Sequence, residues 1–202
     1  MSCSMIRRSL AFLSLMGAMT CGAIAESPIA TLFPGSQDRL CFSRQYDAAH
    51  LKKIPGQRVT GMLASVVRAK SPAEGVWLRA RFQLRTEDKT LDVAASCDWS
   101  ENANFDTAGK PLLPTYRKKD GFACIAIFSS ASAEEAGAIL FDIPPDGKTA
   151  TLHFDTQIGI WAETNPVKKR KHLNLGKDDR LFRLDRVADT NCAALIDEIR
   201  PD

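Results

Sequence analysis

A stretch near the middle of the chain alternates so strictly that it leaves few choices of fold. Val76, Leu78, Ala80, Phe82 and Leu84 fall on one face of an extended segment, and Trp77, Arg79, Arg81, Gln83 and Arg85 fall on the other. A period of two sets one row of side chains against a core and the other in water, which predicts a half-buried strand. Glu87, Asp88 and Lys89 make a turn, and the alternation resumes with Leu91, Val93, Ala95, Cys97 and Trp99 opposite Asp92, Ser96 and Asp98. The two runs predict a β-hairpin.

A second hairpin is marked by an apolar run over residues 138–143, a Pro144-Pro145-Asp146-Gly147-Lys148 turn and a strand over 149–155. In that strand Ala150, Leu152 and Phe154 point inward, and Asp-Gly supplies the positive φ angles of a tight turn. Further strands are predicted over residues 40–44, 58–68, 122–128, 158–162 and 181–187. Helical signals are few: Asp47 caps a turn over 48–52, Thr190 or Asn191 caps a C-terminal helix carrying Leu195 and Ile199, and residues 130–136 form at most one turn. About nine short strands with turn signals between them predict an all-β fold, an antiparallel meander closing into a barrel of about 8–9 strands. A β-sandwich is the alternative. Two long connections interrupt the meander, residues 101–121 and 163–179. Loops of that length are uncommon unless they carry function.

The N-terminus has the three parts of a secretory signal in order: Arg7 and Arg8, an apolar stretch over residues 10–19, and Ala23-Ile24-Ala25 as cleavage site. Residues 1–25 are expected to leave, Glu26 becoming the first residue of one domain over 26–202. The stretch is too short to span a bilayer. Cys21 lacks the small-residue context of a lipoprotein signal, and residues after the Arg7-Arg8 pair match twin-arginine export poorly. Removal of the segment takes two basic residues and no acidic one, so the net charge falls from +3 to +1. That balance gives no reason to expect nucleic acid as a partner.

The cysteines agree with export to the periplasm or beyond. Cys3 and Cys21 leave with the signal, and Cys41, Cys97, Cys124 and Cys192 remain. An even set in an exported chain implies two disulfides with three possible connectivities. Cys97–Cys124 and Cys41–Cys192 are preferred, because the first closes a long polar hairpin loop and the second ties the ends of the domain together.

The segments C-F-S-R-Q-Y-D-A-A-H-L-K-K-I-P-G-Q-R-V over residues 41–59 and D-D-R-L-F-R-L-D-R-V-A-D-T-N-C over 178–192 resemble a group of small exported bacterial proteins of unknown function. The strand pattern is also similar to calycin-like barrels and to periplasmic lysozyme inhibitors. The resemblance implies an exported barrel and brings no chemistry with it.

No catalytic signature is present. There is no G-x-S-x-G and no S-x-x-K, the four cysteines are expected in disulfides, and His50, His153 and His172 are the only histidines. His153 and Asp155 share a strand face, but no third metal ligand is indicated. His50 reads as a local hydrogen-bonding residue and Tyr46 as a packing residue. No metal or cofactor is expected. Two candidate binding surfaces stand against plainer readings of the same residues, a barrel exterior whose Arg stems cover Trp77 and a solvated loop tip. Trp77, Arg79, Arg81 and Arg85 make a basic strip on the wet strand face, able to stack a sugar or hold an anion. Lys168, Lys169, Arg170 and Lys171 make a basic run able to meet an anionic envelope component. The expected function is a non-enzymatic module that binds an envelope partner (protein, glycan or small ligand). A carboxylate-dependent periplasmic hydrolase or a lysozyme-inhibitor-like protein is the alternative.

Overall fold

A computed structural model describes residues 31–33, 35–68, 75–85, 90–127, 138–160 and 171–197. Its strands are β1 (Arg39–Gln45), β2 (Val59–Arg68), β3 (Val76–Arg85), β4 (Thr90–Ser100), β5 (Gly121–Ile127), β6 (Ile139–Asp142), β7 (Thr149–Phe154), β8 (Gln157–Ile160), β9 (Lys171–Asn174) and β10 (Leu181–Val187). Two short helices accompany them, α1 (Ala48–Lys53) and α2 (Ala193–Asp197).

Eight strands close a barrel in the order β1-β2-β3-β4-β5-β6-β7-β10 and back to β1, and β8 and β9 form a separate two-stranded sheet. Every neighbouring pair is antiparallel. The predicted meander is therefore correct and the sandwich alternative is not. Because β10 pairs β7, the β8–β9 sheet is the distal arm of one long hairpin whose pairing breaks between Thr156 and Arg180. The break is bridged by backbone bonds from Leu175 to Thr156 and from Phe154 to Arg180.

The alternation read from β3 holds, with Leu78, Ala80, Phe82 and Leu84 buried and the intervening residues half-exposed. Inward rows from the other strands complete the core: Phe42, Met62, Val66, Val93, Phe122, Phe141, Leu152, Phe154, Phe182 and Leu184 are all buried. The rings pack edge-on or stacked, with Phe82 5.2 Å from Phe154, Phe154 5.9 Å from Phe182 and Trp99 5.5 Å from Phe122. An eight-stranded barrel is narrow enough for side chains to fill, and these buried side chains point into it. The outer face carries Arg79, Arg183, Thr149, Thr151 and Asp185, the reverse of the polarity of a barrel that faces lipid. Among the described residues, no helix is long and apolar enough to cross a membrane.

Both preferred disulfides are formed. Cys97 and Cys124 are register partners on β4 and β5, 3.9 Å apart at Cα, and Cys41 is 5.8 Å from Cys192. The second bridge pins residues 189–197 over the outer side of β1 and β2, where Cys41, Ser65, Cys192 and Leu195 are all buried. Ser65 lies under this cover, and its hydroxyl has no hydrogen-bond partner among the described residues. A buried unsatisfied hydroxyl costs about 1–3 kcal/mol. Ser65→Ala is therefore expected to stabilise the fold by about 1 kcal/mol, raising the melting temperature by about 3 °C for a chain of this size. A lower melting temperature in calorimetry would contradict the assignment of that hydroxyl as unsatisfied.

Three details depart from the sequence reading. The connection over 163–179 contains β9 and a 3-10 turn over Lys177–Asp179, so Lys171 begins a strand. The Asp-Gly turn needs only one positive φ, at Gly147 (59°), with the Gly147 amide bonded to the Pro144 carbonyl. Residues 189–192 form a 3-10 turn leading into α2, where an α-helix was predicted. The proposed signal over 1–25, the turn at 87–89 and the turn at 130–136 lie outside the described residues.

Candidate functional site

The basic strip lies on the outer face of β3, and all four of its side chains are half-buried. Arg79 stacks on Trp77, 4.7 Å from the ring centre, and donates to the Ser96 hydroxyl across β4. Burial lowers the Arg79 pKa, with the Asp98 carboxylate opposing. Arg85 turns away from the others. Its guanidinium donates to the carbonyls of Gln57 (2.8 Å) and Pro55 (2.7 Å), clamping the chain between α1 and β2. Arg81 is half-buried between Leu63 on β2 and Ala94 on β4. The strand thus brings Trp77 and Arg79 together and directs Arg85 into a loop-holding role.

The basic run belongs to the β8–β9 arm. Lys171 pairs with Ile160 at the distal end of the two strands, and Gln157 pairs with Asn174 at the base through a 2.9 Å side-chain bond. Lys168, Lys169 and Arg170 fall between the strands, outside the described residues. Residues 157–174 carry four basic residues against Glu163, a net +3, so the rest of a chain that starts at Glu26 carries −2.

At the base of that arm sits a residue whose role the sequence did not reveal. Asp179 is fully buried. Its carboxylate accepts from the Arg58 amide (2.8 Å to each oxygen) and the Val59 amide (2.9 Å). Burial raises its pKa, the two amide bonds and Arg58 oppose, and Asp178 adds to the rise. The same end of the barrel carries His50, whose Nε2 lies 3.1 Å from Gln57 Oε1. Gln57 donates its own NH2 to the Val59 carbonyl, so the His50 nitrogen is the donor of that pair. Tyr46 stacks on His50 at 4.6 Å, and Asp47 caps α1 by accepting from the His50 amide. Both residues act locally, as their sequence context predicts.

The polar connection after β4 is folded onto the barrel. Asn104 is buried, accepts from the Leu113 amide and donates to the Tyr116 carbonyl, each at 2.9 Å. Asp106 closes a tight turn by accepting from the Ala108 and Lys110 amides. Ala103, Leu113 and Tyr116 pack on Leu140 of β6, with Ala123 of β5 beside them. The Tyr116 ring meets His153 of β7 edge-on at 4.8 Å, and Lys118 pairs with Asp142 at 2.6 Å. Burial lowers the His153 pKa, with Asp142 opposing and Lys118 adding to the fall. Burial also pushes the Tyr116 phenol well above its ordinary range, helped by Asp142 and Asp120.

His153 and Asp155 do not converge on a metal. Asp155 bonds to the amide and hydroxyl of Thr156, and among the described residues no three His, Cys, Asp or Glu side chains cluster. No family model, curated protein or solved structure matches the chain.

Proposed function

We propose that the protein is an exported, non-enzymatic binding module of the cell envelope, and that its recognition element is the β8–β9 arm with Lys168, Lys169, Arg170 and Lys171. The observation that carries this reading is the division of labour between barrel and arm. Apolar rings pack inside the barrel, which favours meeting a charged partner on the outside. Residues 157–174 carry a net +3, equal to the net charge of all 202 residues. Such a charge distribution favours encounter with a polyanionic surface. The periplasm or the exterior is the compartment proposed, since both disulfides need an oxidising environment to persist.

Exchange of all four basic residues for Ser is expected to reduce co-sedimentation with anionic envelope vesicles at least tenfold. Wild-type binding should fall in the same way when salt rises from about 0.1 to 1 M, as the Debye length shrinks from about 10 to 3 Å. Thermal stability should move by no more than about 0.5 kcal/mol, as a solvent-facing recognition element requires. Binding that survives both the exchange and high salt would refute the assignment.

A further inference from the structure

We propose that residues 101–120 form an acid-released strap, docked over β5, β6 and β7 while His153 is neutral and lifted from the barrel when that imidazole takes a proton.

The strap is built to move as a unit. Its fold is held by its own side chains: Asn104 ties residues 104, 113 and 116 together, Asp106 closes its turn, and Phe105 bridges to Pro111. Tyr116 donates to the Asp120 carbonyl at 2.6 Å, again within the strap. It rejoins the barrel at Gly121, where φ is 156° and a Cβ would lie 2.5 Å from the Tyr116 hydroxyl. Among the described residues it is attached to the barrel by the burial of Ala103, Leu113 and Tyr116 against Leu140, Ala123 and Ala138, by the Lys118–Asp142 pair and by the Tyr116–His153 ring contact.

The ring contact and the ion pair both lie beside the group that takes the proton. Docked, His153 is half-buried against Tyr116, and among the described residues its ring nitrogens have no hydrogen-bond partner. An imidazolium there would be partly shielded from water and near the Lys118 ammonium. Asp142 on β6 is the group that welcomes the proton, and in the docked state Lys118 already occupies it. The other nearby charges are engaged or turned elsewhere: Asp155 on the same strand bonds Thr156, Arg183 on β10 faces Asp185, Asp120 is at the strap's end, and the Tyr116 phenol stays neutral. Lifting the strap hydrates the imidazolium and lets it take Asp142 in place of Lys118. Protonation therefore sets the imidazolium against Lys118 for Asp142 and adds a desolvation cost that lifting the strap relieves.

The sign follows from the direction of the shift. His153 in the docked state lies below its ordinary value of 6.5, with burial the leading cause. Docking is fully favoured above that ordinary value and weakens as pH falls through the docked-state value. Between about pH 7.5 and pH 5 the opening equilibrium can rise by up to about thirtyfold, the ceiling set by an open-state imidazole of ordinary pKa.

Hydrogen exchange of the whole protein, followed by mass spectrometry and corrected for intrinsic rates, reads this directly. In the wild type, protection over residues 101–120 should fall several-fold between those two pH values while β2, β3 and β4 stay protected. His153→Phe keeps the ring contact without the proton and should hold the strap docked at both. His153→Gln is a second non-titrating variant, expected to show equal protection at both values whatever its absolute level. Wild-type protection that does not change with pH would overturn the proposal. So would an identical fall in both variants, or a loss that spreads to β2–β4.

Discussion

Replacing Cys41 and Cys192 together by Ala is expected to lower the unfolding free energy by about 4–5 kcal/mol. The bridge closes a loop of 151 residues, and the restriction it places on the unfolded chain grows with the logarithm of loop length. Removing Cys97 and Cys124, 27 residues apart, should lower stability less, by about 3–4 kcal/mol on the same scaling. The two losses also differ in kind. Without Cys41–Cys192, the cover over Ser65 and the outer side of β1 and β2 keeps the burial of Leu195 and the bonds of Gln37 and Arg186 to Asp189. Urea titration should therefore find a lower midpoint and a steeper slope, because the unbridged denatured chain exposes more surface. A double variant with an unchanged midpoint would show that the C-terminal cover is held by packing alone.

Asp179→Ala is expected to destabilise by about 2–4 kcal/mol, because it leaves the buried Arg58 and Val59 amides without an acceptor. Asp179→Asn keeps one oxygen in place, able to accept from both amides, and removes a buried charge, so its cost should stay within about 1 kcal/mol. The pH dependence separates the two effects. The folded-state pKa of Asp179 is raised above its ordinary 3.8. Its contribution to stability is then fullest below that ordinary value and is lost as pH rises through the folded value, the opposite of a carboxylate held by a salt bridge. Denaturant midpoints measured across mildly acidic pH should slope downward with rising pH in the wild type, and Asp179→Asn should remove that component. An alanine variant as stable as the wild type would mean that water replaces the carboxylate.

The barrel was legible because its strands face two different solvents. In β3 and β7 a dry row alternates with a wet row, and no tertiary information is needed to see it. β9 was hidden for the opposite reason: Lys171, His172, Leu173 and Asn174 close a charge run and pair with only four residues of β8. The strap was read as an open loop since Ala103, Leu113 and Tyr116 follow no period. A signal for it did exist on the strand beneath. Ile139, Leu140 and Phe141 are consecutive and all buried, and an unbroken apolar run means a strand covered on both faces. Leu40, Cys41 and Phe42 carry the same mark under the C-terminal cover. Asp179 had no such signal. Between Asp178 and Arg180 it looks like one more surface charge, and only the return of β2 to the same barrel end makes it an internal acceptor. Of the two basic surfaces, the strip was legible as a face of β3 but not in its division, because the clamp made by Arg85 depends on where α1 ends.

The seam between β1 and β10 sets the order in which the chain can become a barrel. Synthesis delivers β1 first and β10 last, and Cys41 pairs with a cysteine 151 residues later. Until then β1 can dock on β2 yet keeps one bare edge, open to mispairing with another chain. Cys97 and Cys124 emerge while Cys41 is still waiting, so an oxidant that joins cysteines as they appear would trap Cys41 with Cys97. The sheet offers a remedy in its own register, since Cys97 and Cys124 meet across adjacent strands of a local hairpin. Early closure of that hairpin would withdraw both thiols and leave Cys41 one partner to find. The maturation of this protein is thus a race between local β4–β5 pairing and premature oxidation.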